Sequence, residues 1–202
     1  MNNEQLKFIV EGLLMASAEP VSIETIFKIV KTDDDQLDIK EIRDIINALV
    51  CDYAGRGIEL KEVASGWRFQ VRHDLSPWIS KLWEERPPRY SRALLETLAL
   101  IAYRQPITRA EIEDVRGVAV SSNITKTLMD HDWVKIAGYK EVPGRPALFV
   151  TTKKFLDHFN LQSLQDLPPL MEFTEAVENL EVINETVQKE VSDTESEGEM
   201  GN

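Results

Sequence analysis

Three observations predict a mainly α-helical, α+β chain with small β-hairpins. The order helix, helix, helix, hairpin is written twice along the sequence, once on each side of the Pro-Pro pair at 87 and 88. Pro20, Val21 and Ser22 are echoed by Pro106, Ile107 and Thr108 at a constant offset of 86, which suggests internal duplication. Past residue 170 the chain turns acidic and carries no aromatic residue beyond Phe173.

The first half reads as follows. Leu6, Ile9, Val10, Leu13 and Leu14 recur at i, i+3, i+4, i+7 and i+8, one apolar stripe on a helix. Ser22 stands as the N-cap of a short second helix carrying Ile23, Ile26, Phe27 and Val30. A third helix has Ile39, Ile42, Ile45, Ile46, Leu49, Val50 and Tyr53 at helical spacing, and Gly55 and Gly57 stop it. Ile58 to Val63 and Trp67 to Arg72 are alternating runs separated by Ala64, Ser65 and Gly66, a β-hairpin. Three small helices whose open side is covered by two strands make a winged-helix module. A closing helix is expected over Leu75 to Glu85, with Trp78, Ile79, Leu82 and Trp83 on one face. The segment ERPPRYS then reads as a linker, since neither proline can join a helix interior.

The second half repeats the plan. Leu94, Leu95, Leu98, Ile101 and Ala102 form the stripe of its first helix. Thr108 with Glu111 three residues on is a capping-box pattern for a second helix ending at Arg116, with Gly117 as its C-cap. Ser121 to Asp132 is a third helix with Ile124, Leu128 and Met129 inward, and Trp133 to Ala137 with Ala147 to Thr151 make the hairpin. Lys153 to Asn160 is a short amphipathic helix bearing Phe155, Leu156 and Phe159. The expected organisation is two tandem winged-helix domains, residues 1–85 and 86–170, followed by an acidic tail, 171–202. That tail is too polar to offset the entropy of ordering it, and so is expected to be disordered, although Ala176, Val177, Leu180, Ile183 and Val187 leave a partner-bound helix open.

Charge and composition narrow the function. Of the net charge of -12, residues 171–202 carry ten acidic side chains and one lysine, whereas residues 86–170 carry 12 basic and 9 acidic ones. A mildly cationic second half is compatible with DNA contact but is not a basic stripe. The start MNNEQLKFIV has no export signal and no apolar run reaches bilayer length, so a cytoplasmic protein without a membrane partner is expected. The single cysteine, Cys51, is expected to be a buried small hydrophobe. His73, His131 and His158 fall in different elements without metal-ligand spacing, and the carboxylate pairs Glu111/Glu113 and Asp130/Asp132 point to different helix faces. No enzyme, cofactor, metal or small-molecule substrate is expected.

The loop GYKEVPGRPALFVTT, 138–152, is the segment with the most definite chemistry. It is not a phosphate cradle, because five residues rather than four separate Gly138 from Gly144, Arg145 replaces lysine, and Pro146 has no N–H to offer. A winged-helix DNA-binding transcriptional regulator is the alternative reading, with the third helix in the major groove. That helix offers Ser121, Ser122, Asn123 and Lys126 but no arginine for guanine edges, and Asp130 and Asp132 would repel phosphate. Pro143 and Gly144 fit positions i+1 and i+2 of a type II turn, and Pro146 stiffens its exit. A preshaped loop presenting Tyr139, Lys140 and Arg145 suits protein recognition, since little entropy is lost on binding. The candidate partner-binding residues are Tyr139, Lys140, Pro143, Gly144, Arg145 and Pro146.

Three stretches carry a family resemblance: LETLALIAYRQPITRAEIEDVRGV at 95–118, KEVPGRPALFVTT at 140–152 and FLDHFNLQSLQDLPPL at 155–170, with EGLLMASAEPVS at 11–22 in the first half. The chain resembles the segregation and condensation protein B family, tandem winged-helix subunits of the bacterial SMC–kleisin condensin. Phe149 stands where family members often have tyrosine, and Ser121 to Asn123 where many have an Asp-Gly pair. The resemblance implies a non-enzymatic homodimer, joined through its first domains. It also implies binding to the kleisin subunit, segregation and condensation protein A, and through it to the SMC ATPase on the chromosome, with DNA touched only indirectly.

Overall fold

The structure is a computed structural model that describes residues 2–31, 37–82 and 90–169. Its elements are helical with two small antiparallel sheets. In the first half α1 (Asn3–Ala16), α2 (Ile23–Val30) and α3 (Ile39–Asp52) precede the hairpin β1 (Ile58–Val63) and β2 (Gly66–Val71), and α4 (Ser76–Ile79) follows. In the second half come α5 (Arg92–Arg104), β3 (Ile107–Thr108), α6 (Arg109–Arg116), α7 (Ser122–Asp130), β4 (Val134–Tyr139), β5 (Ala147–Thr151) and α8 (Lys153–His158).

The helices begin where short polar side chains satisfy free backbone donors. Asn2, Ser22, Ser91, Ser121 and Thr152 each accept a bond from an N–H in the turn that follows. Thr108 and Glu111 complete the capping box of α6, and Gly117 ends it at φ +69°. Leu6, Val10 and Leu14 of α1 meet Ile26 and Val30 of α2 and Ile42, Ile45, Ile46 and Leu49 of α3 in one buried cluster, roofed by Leu60 of β1. Each such side chain contributes about 1.5–3 kcal/mol when fully buried, so this cluster holds the first half together. The second half buries Leu94, Leu98, Ile101, Ile107, Ile112, Val120, Leu128, Trp133, Val134, Phe149 and Phe155.

The 86-residue echo is visible in the backbone. Val21 forms an isolated antiparallel bridge to Trp67 of β2, and Ile107 pairs with Phe149 of β5 in the same way. Each half therefore leads a short extended segment into the second strand of its own hairpin; in the second half this gives the order β3-β5-β4. Gly66 makes the first of these contacts possible. At φ +140° it comes so close to the 21–22 backbone that a Cβ would stand 2.3 Å from Val21 O.

Four expectations are corrected. The helix foreseen over Leu75 to Glu85 is one α-turn, α4, between two 3-10 turns, His73–Leu75 and Ser80–Leu82, and residues 83–85 lie outside the described ones. Trp78 and Leu82 are 64% and 72% exposed, so no buried face supports a longer helix here. Cys51 is exposed, not buried, because it lies two residues past Leu49, about 200° round the helix from the buried face. On α7 the inward residues are Thr125 and Leu128 with Ile124 half-buried, and Met129 is turned outward. On α5 Leu95 faces out, and Thr97 takes the buried place by donating its hydroxyl to Ala93 O at 2.8 Å. The tail 171–202, with the disorder and partner-bound helix expected of it, lies outside the described residues.

Candidate partner-binding site

The loop singled out from the sequence joins β4 to β5. The register runs Val134↔Thr151, Lys135↔Val150, Ile136↔Phe149, then slips across Ala137 so that Gly138 faces Leu148 and Tyr139 faces Ala147. That irregularity bends an edge strand and increases its twist. Lys140 N–H donates to Pro146 O at 2.9 Å and closes the loop, Val142 N–H to Lys140 O at 2.9 Å, and Arg145 N–H to Val142 O at 2.9 Å. The last bond spans i to i+3 across Pro143 and Gly144, and Gly144 has φ +84°, the value a type II turn requires at i+2. Arg145 follows at φ +39°. Two successive left-handed residues, one of them an arginine, fold the tip back on itself; nothing in the sequence marks the second.

Inside the loop the candidate residues divide by their partners. Lys140 Nζ donates to Glu111 Oε1 at 2.6 Å, while Glu111 Oε2 accepts from Thr108 N–H and from the Thr108 hydroxyl, each at 2.8 Å. The ammonium of Lys140, then the Thr108 N–H and hydroxyl, push the Glu111 carboxyl down to about 2. Lys140 is thus fastened to the capping box of α6 and anchors the wing to its own half. Tyr139 is 57% exposed, and Arg145 and Pro143 are exposed too, whereas Pro146 is half-buried. Tyr139 and Arg145 make no side-chain hydrogen bond or ion pair among the described residues. Ile136 and Val142, exposed apolar residues on the same hairpin, were not singled out from sequence. Alternation marks both as strand or loop positions and does not tell which side is left uncovered.

Of the four polar residues considered for DNA contact, Ser121 and Ser122 are engaged within the fold, whereas Asn123 and Lys126 are exposed and their side chains make no hydrogen bond or ion pair among the described residues. Arg109 donates to Glu113 Oε1 at 3.0 Å, to Ser122 Oγ at 3.1 Å and to Val120 O. The Val120 N–H, and after it Arg109, hold the Glu113 carboxyl below its usual range. Ser121 is spent on capping α7. Among the described residues no three histidines, cysteines or carboxylates are grouped to hold a metal ion, and no helix is long and apolar enough to cross a membrane.

The chain thus carries a helix–hairpin pattern in each half and, on the second, a β4–β5 loop closed by its own hydrogen bonds with Tyr139 and Arg145 exposed. Comparison with known proteins supplies the family. The family model described as "Segregation and condensation complex subunit ScpB" matches residues 8–170. The "Segregation and condensation protein B homolog" of Coxiella burnetii is 54% identical over 170 residues, covering 84% of this chain and 81% of that one. "Segregation and condensation protein B" of Syntrophotalea carbinolica is 42% identical over 183 residues, covering 90% of each. A solved structure, "Crystal structure of dimer of ScpB N-terminal domain complexed with ScpA peptide", is 26% identical and covers 40% of this chain and 96% of its own, at a TM-score of 0.35. That superposition is too loose to carry its assembly over. The chain belongs to the ScpB family of segregation and condensation complex subunits.

Proposed function

We propose that this chain is a non-enzymatic subunit of a bacterial SMC–kleisin condensin, built of two tandem winged-helix domains, residues 1–85 and 86–170. In this reading it binds the kleisin, segregation and condensation protein A, and through it serves the SMC ATPase in chromosome condensation and segregation. Family membership across residues 8–170 supports the complex. The observation that carries a partner surface on the second half is the β4–β5 loop, whose turn is closed by its own hydrogen bonds while Tyr139 and Arg145 stay unengaged beside exposed Ile136 and Val142. Lys140 contributes by holding that loop in place, and Pro143, Gly144 and Pro146 by shaping it.

The homodimer is assigned to the first half. Phe8 and Met15, 63% and 51% exposed, lie seven residues apart on α1, with Gly12 on the same face. A Cβ at Gly12 would meet nothing within 4 Å. Two large apolar side chains flanking a notch form a surface that a second α1 can fill reciprocally about a two-fold axis. Co-expression with the kleisin tests the whole reading: it is expected to co-purify as one complex whose measured mass includes two copies of this chain. Failure to co-purify, with the chain itself folded, sinks the kleisin assignment.

A further inference from the structure

The two halves meet away from the wing, at a tie that the proposed function does not use. The β1–β2 turn, Ala64 and Ser65, has its two backbone donors aimed at the end of α8. Ala64 N–H donates to Leu161 O at 3.0 Å, and Ser65 N–H to Asp157 Oδ1 at 2.9 Å. The Ser65 hydroxyl donates to the other carboxylate oxygen, Asp157 Oδ2, at 2.6 Å. Arg68 of β2 adds bonds from Nη2 to Asp157 O at 2.9 Å and to Asn160 Oδ1 at 2.7 Å. Asn160 sits at φ +58°, a left-handed conformation that asparagine tolerates.

Asp157 is only 9% exposed, and a carboxylate that deep needs partners. The two bonds to its carboxylate come from the first half, whereas α8 is capped by Thr152 and packed by Phe155 without it. Its burial therefore belongs to the contact between halves rather than to the folding of its own helix. Beside the tie lies a cleft of about 260 Å³, lined by Pro20, Arg68, Tyr90, His131, Trp133 and His158. Trp133 forms its floor, with the rings of His131, His158 and Tyr90 4.7, 4.6 and 5.1 Å from its own. The joint is thus a handful of polar bonds beside an open gap. Such bonds exchange for water bonds at small net cost, and small polar contacts between lobes permit relative motion.

We propose that the Ala64–Ser65 turn and the end of α8 form a releasable latch that fixes the angle between the two halves, with Asp157 as its bolt. The chemistry of the cleft makes the latch sensitive to acid. Burial first, then the charges of His131 and Arg68, hold His158 below the ordinary histidine value. The charged or titratable groups about it are Arg68 from β2, His131 at the end of α7, Lys154 and Asp157 from α8, Glu19 beside Pro20, and Tyr90. His131 and Arg68 oppose a positive charge there, and the Asp157 carboxylate is taken by Ser65. The closed form consequently holds fewer protons on His158 than an open, solvated form. Closure is favoured above the ordinary histidine value, about 6.5, and is lost as pH falls through and below it.

Distance measurement by pulsed electron paramagnetic resonance on the full chain tests this. Cys51 is the chain's one cysteine and is exposed, so a single added cysteine, Lys126→Cys on the exposed side of α7, gives a spin-label pair across the joint. An excess of unlabelled chain restricts the reading to pairs within one molecule. At pH 7.5 the parent pair should show one narrow distance, and Ser65→Ala and Asp157→Ala should each broaden and lengthen it while circular dichroism stays unchanged. If Asp157→Ala fails to fold, Ser65→Ala decides, since it alters no residue of α8. Acidification to pH 5.5 should broaden the parent distribution but not that of His158→Gln. A parent distribution already broad at pH 7.5, or one that both latch variants leave narrow, overturns the latch; equal acid broadening with and without His158 overturns its pH control.

Discussion

Lys140 and Glu111 are 29 residues apart in sequence and form a 2.6 Å ion pair that fastens the tip of the β4–β5 hairpin to the first turn of α6. Both side chains are more than a third exposed, so the pair contributes little on its own, about 0.2–1 kcal/mol. Its importance is geometric, because it ties the end of the β4–β5 hairpin to α6 across 29 residues of sequence.

The pair yields a pH dependence. The Glu111 carboxyl is depressed in the folded chain to about 2, so its stabilising contribution is fully present above the ordinary glutamate value of 4.5 and is lost as pH falls from there toward 2. Thermal melts of the parent and of Glu111→Gln should differ at neutral pH and converge as the pH approaches 2. Curves parallel across that range would show that the ion pair and capping bonds do not stabilise the fold.

Arg145 is expected to act on binding and not on stability. Its side chain makes no hydrogen bond or ion pair among the described residues, so Arg145→Ala should leave the melting temperature unchanged. A charge-assisted hydrogen bond to the kleisin is worth about 1.5–3 kcal/mol, and its loss should weaken affinity roughly ten- to a hundredfold. Titration calorimetry with the purified kleisin reads the affinity and melts of the same sample read the fold. Unchanged affinity would place the partner elsewhere than on this wing.

What was legible in the sequence was local. The Thr108–Glu111 box, the Gly117 cap, the Pro143–Gly144 turn and the caps Ser22 and Thr108, 86 residues apart, are each determined by residues within one turn of one another. What was not legible depends on residues distant in sequence. Ser65 and Asp157 are 92 residues apart, and a lone aspartate among the apolar positions of a short helix gives no sign that it will be buried by another hairpin. Cys51 lies opposite the buried face of its helix, so the helical period itself argued against burying it, whereas Met129, one residue past Leu128, was misplaced for a different reason. Periodicity locates the centre of an apolar face well and its edges poorly, so residues at the margin of the stripe are assigned inward when the neighbouring element stops short of them.

The α1 face gives a prediction about assembly. Phe8→Glu with Met15→Glu places two charges on either side of Gly12 while leaving the buried Leu6, Val10 and Leu14 intact. Multi-angle light scattering should show the parent as a dimer and the double variant as a monomer with unchanged circular dichroism. A variant that stays dimeric places the contact on another surface.

Gly66 and Gly144 both have positive φ, yet their replacement by alanine should have different consequences. At Gly144, φ +84°, an added Cβ meets nothing within 4 Å, so the cost is backbone strain alone, about 1–2 kcal/mol for an L-residue in the left-handed region. At Gly66, φ +140°, the same Cβ would stand 2.3 Å from Val21 O and 2.6 Å from Ser22 N, backbone atoms that cannot swing aside as a side chain would. Relief requires β2 to part from the 21–22 segment. That breaks the two bonds, Val21 N–H to Trp67 O and Trp67 N–H to Val21 O, each 2.9 Å, that lead α2 into the hairpin. Gly66→Ala should therefore destabilise the chain by clearly more than Gly144→Ala, read as the difference in urea midpoint at equal slope. The effect should also be selective, exposing the Val21 and Trp67 amides to hydrogen exchange while those of β4 and β5 remain protected. Equal destabilisation by the two variants would mean that the close approach at Val21 is not what requires glycine at 66.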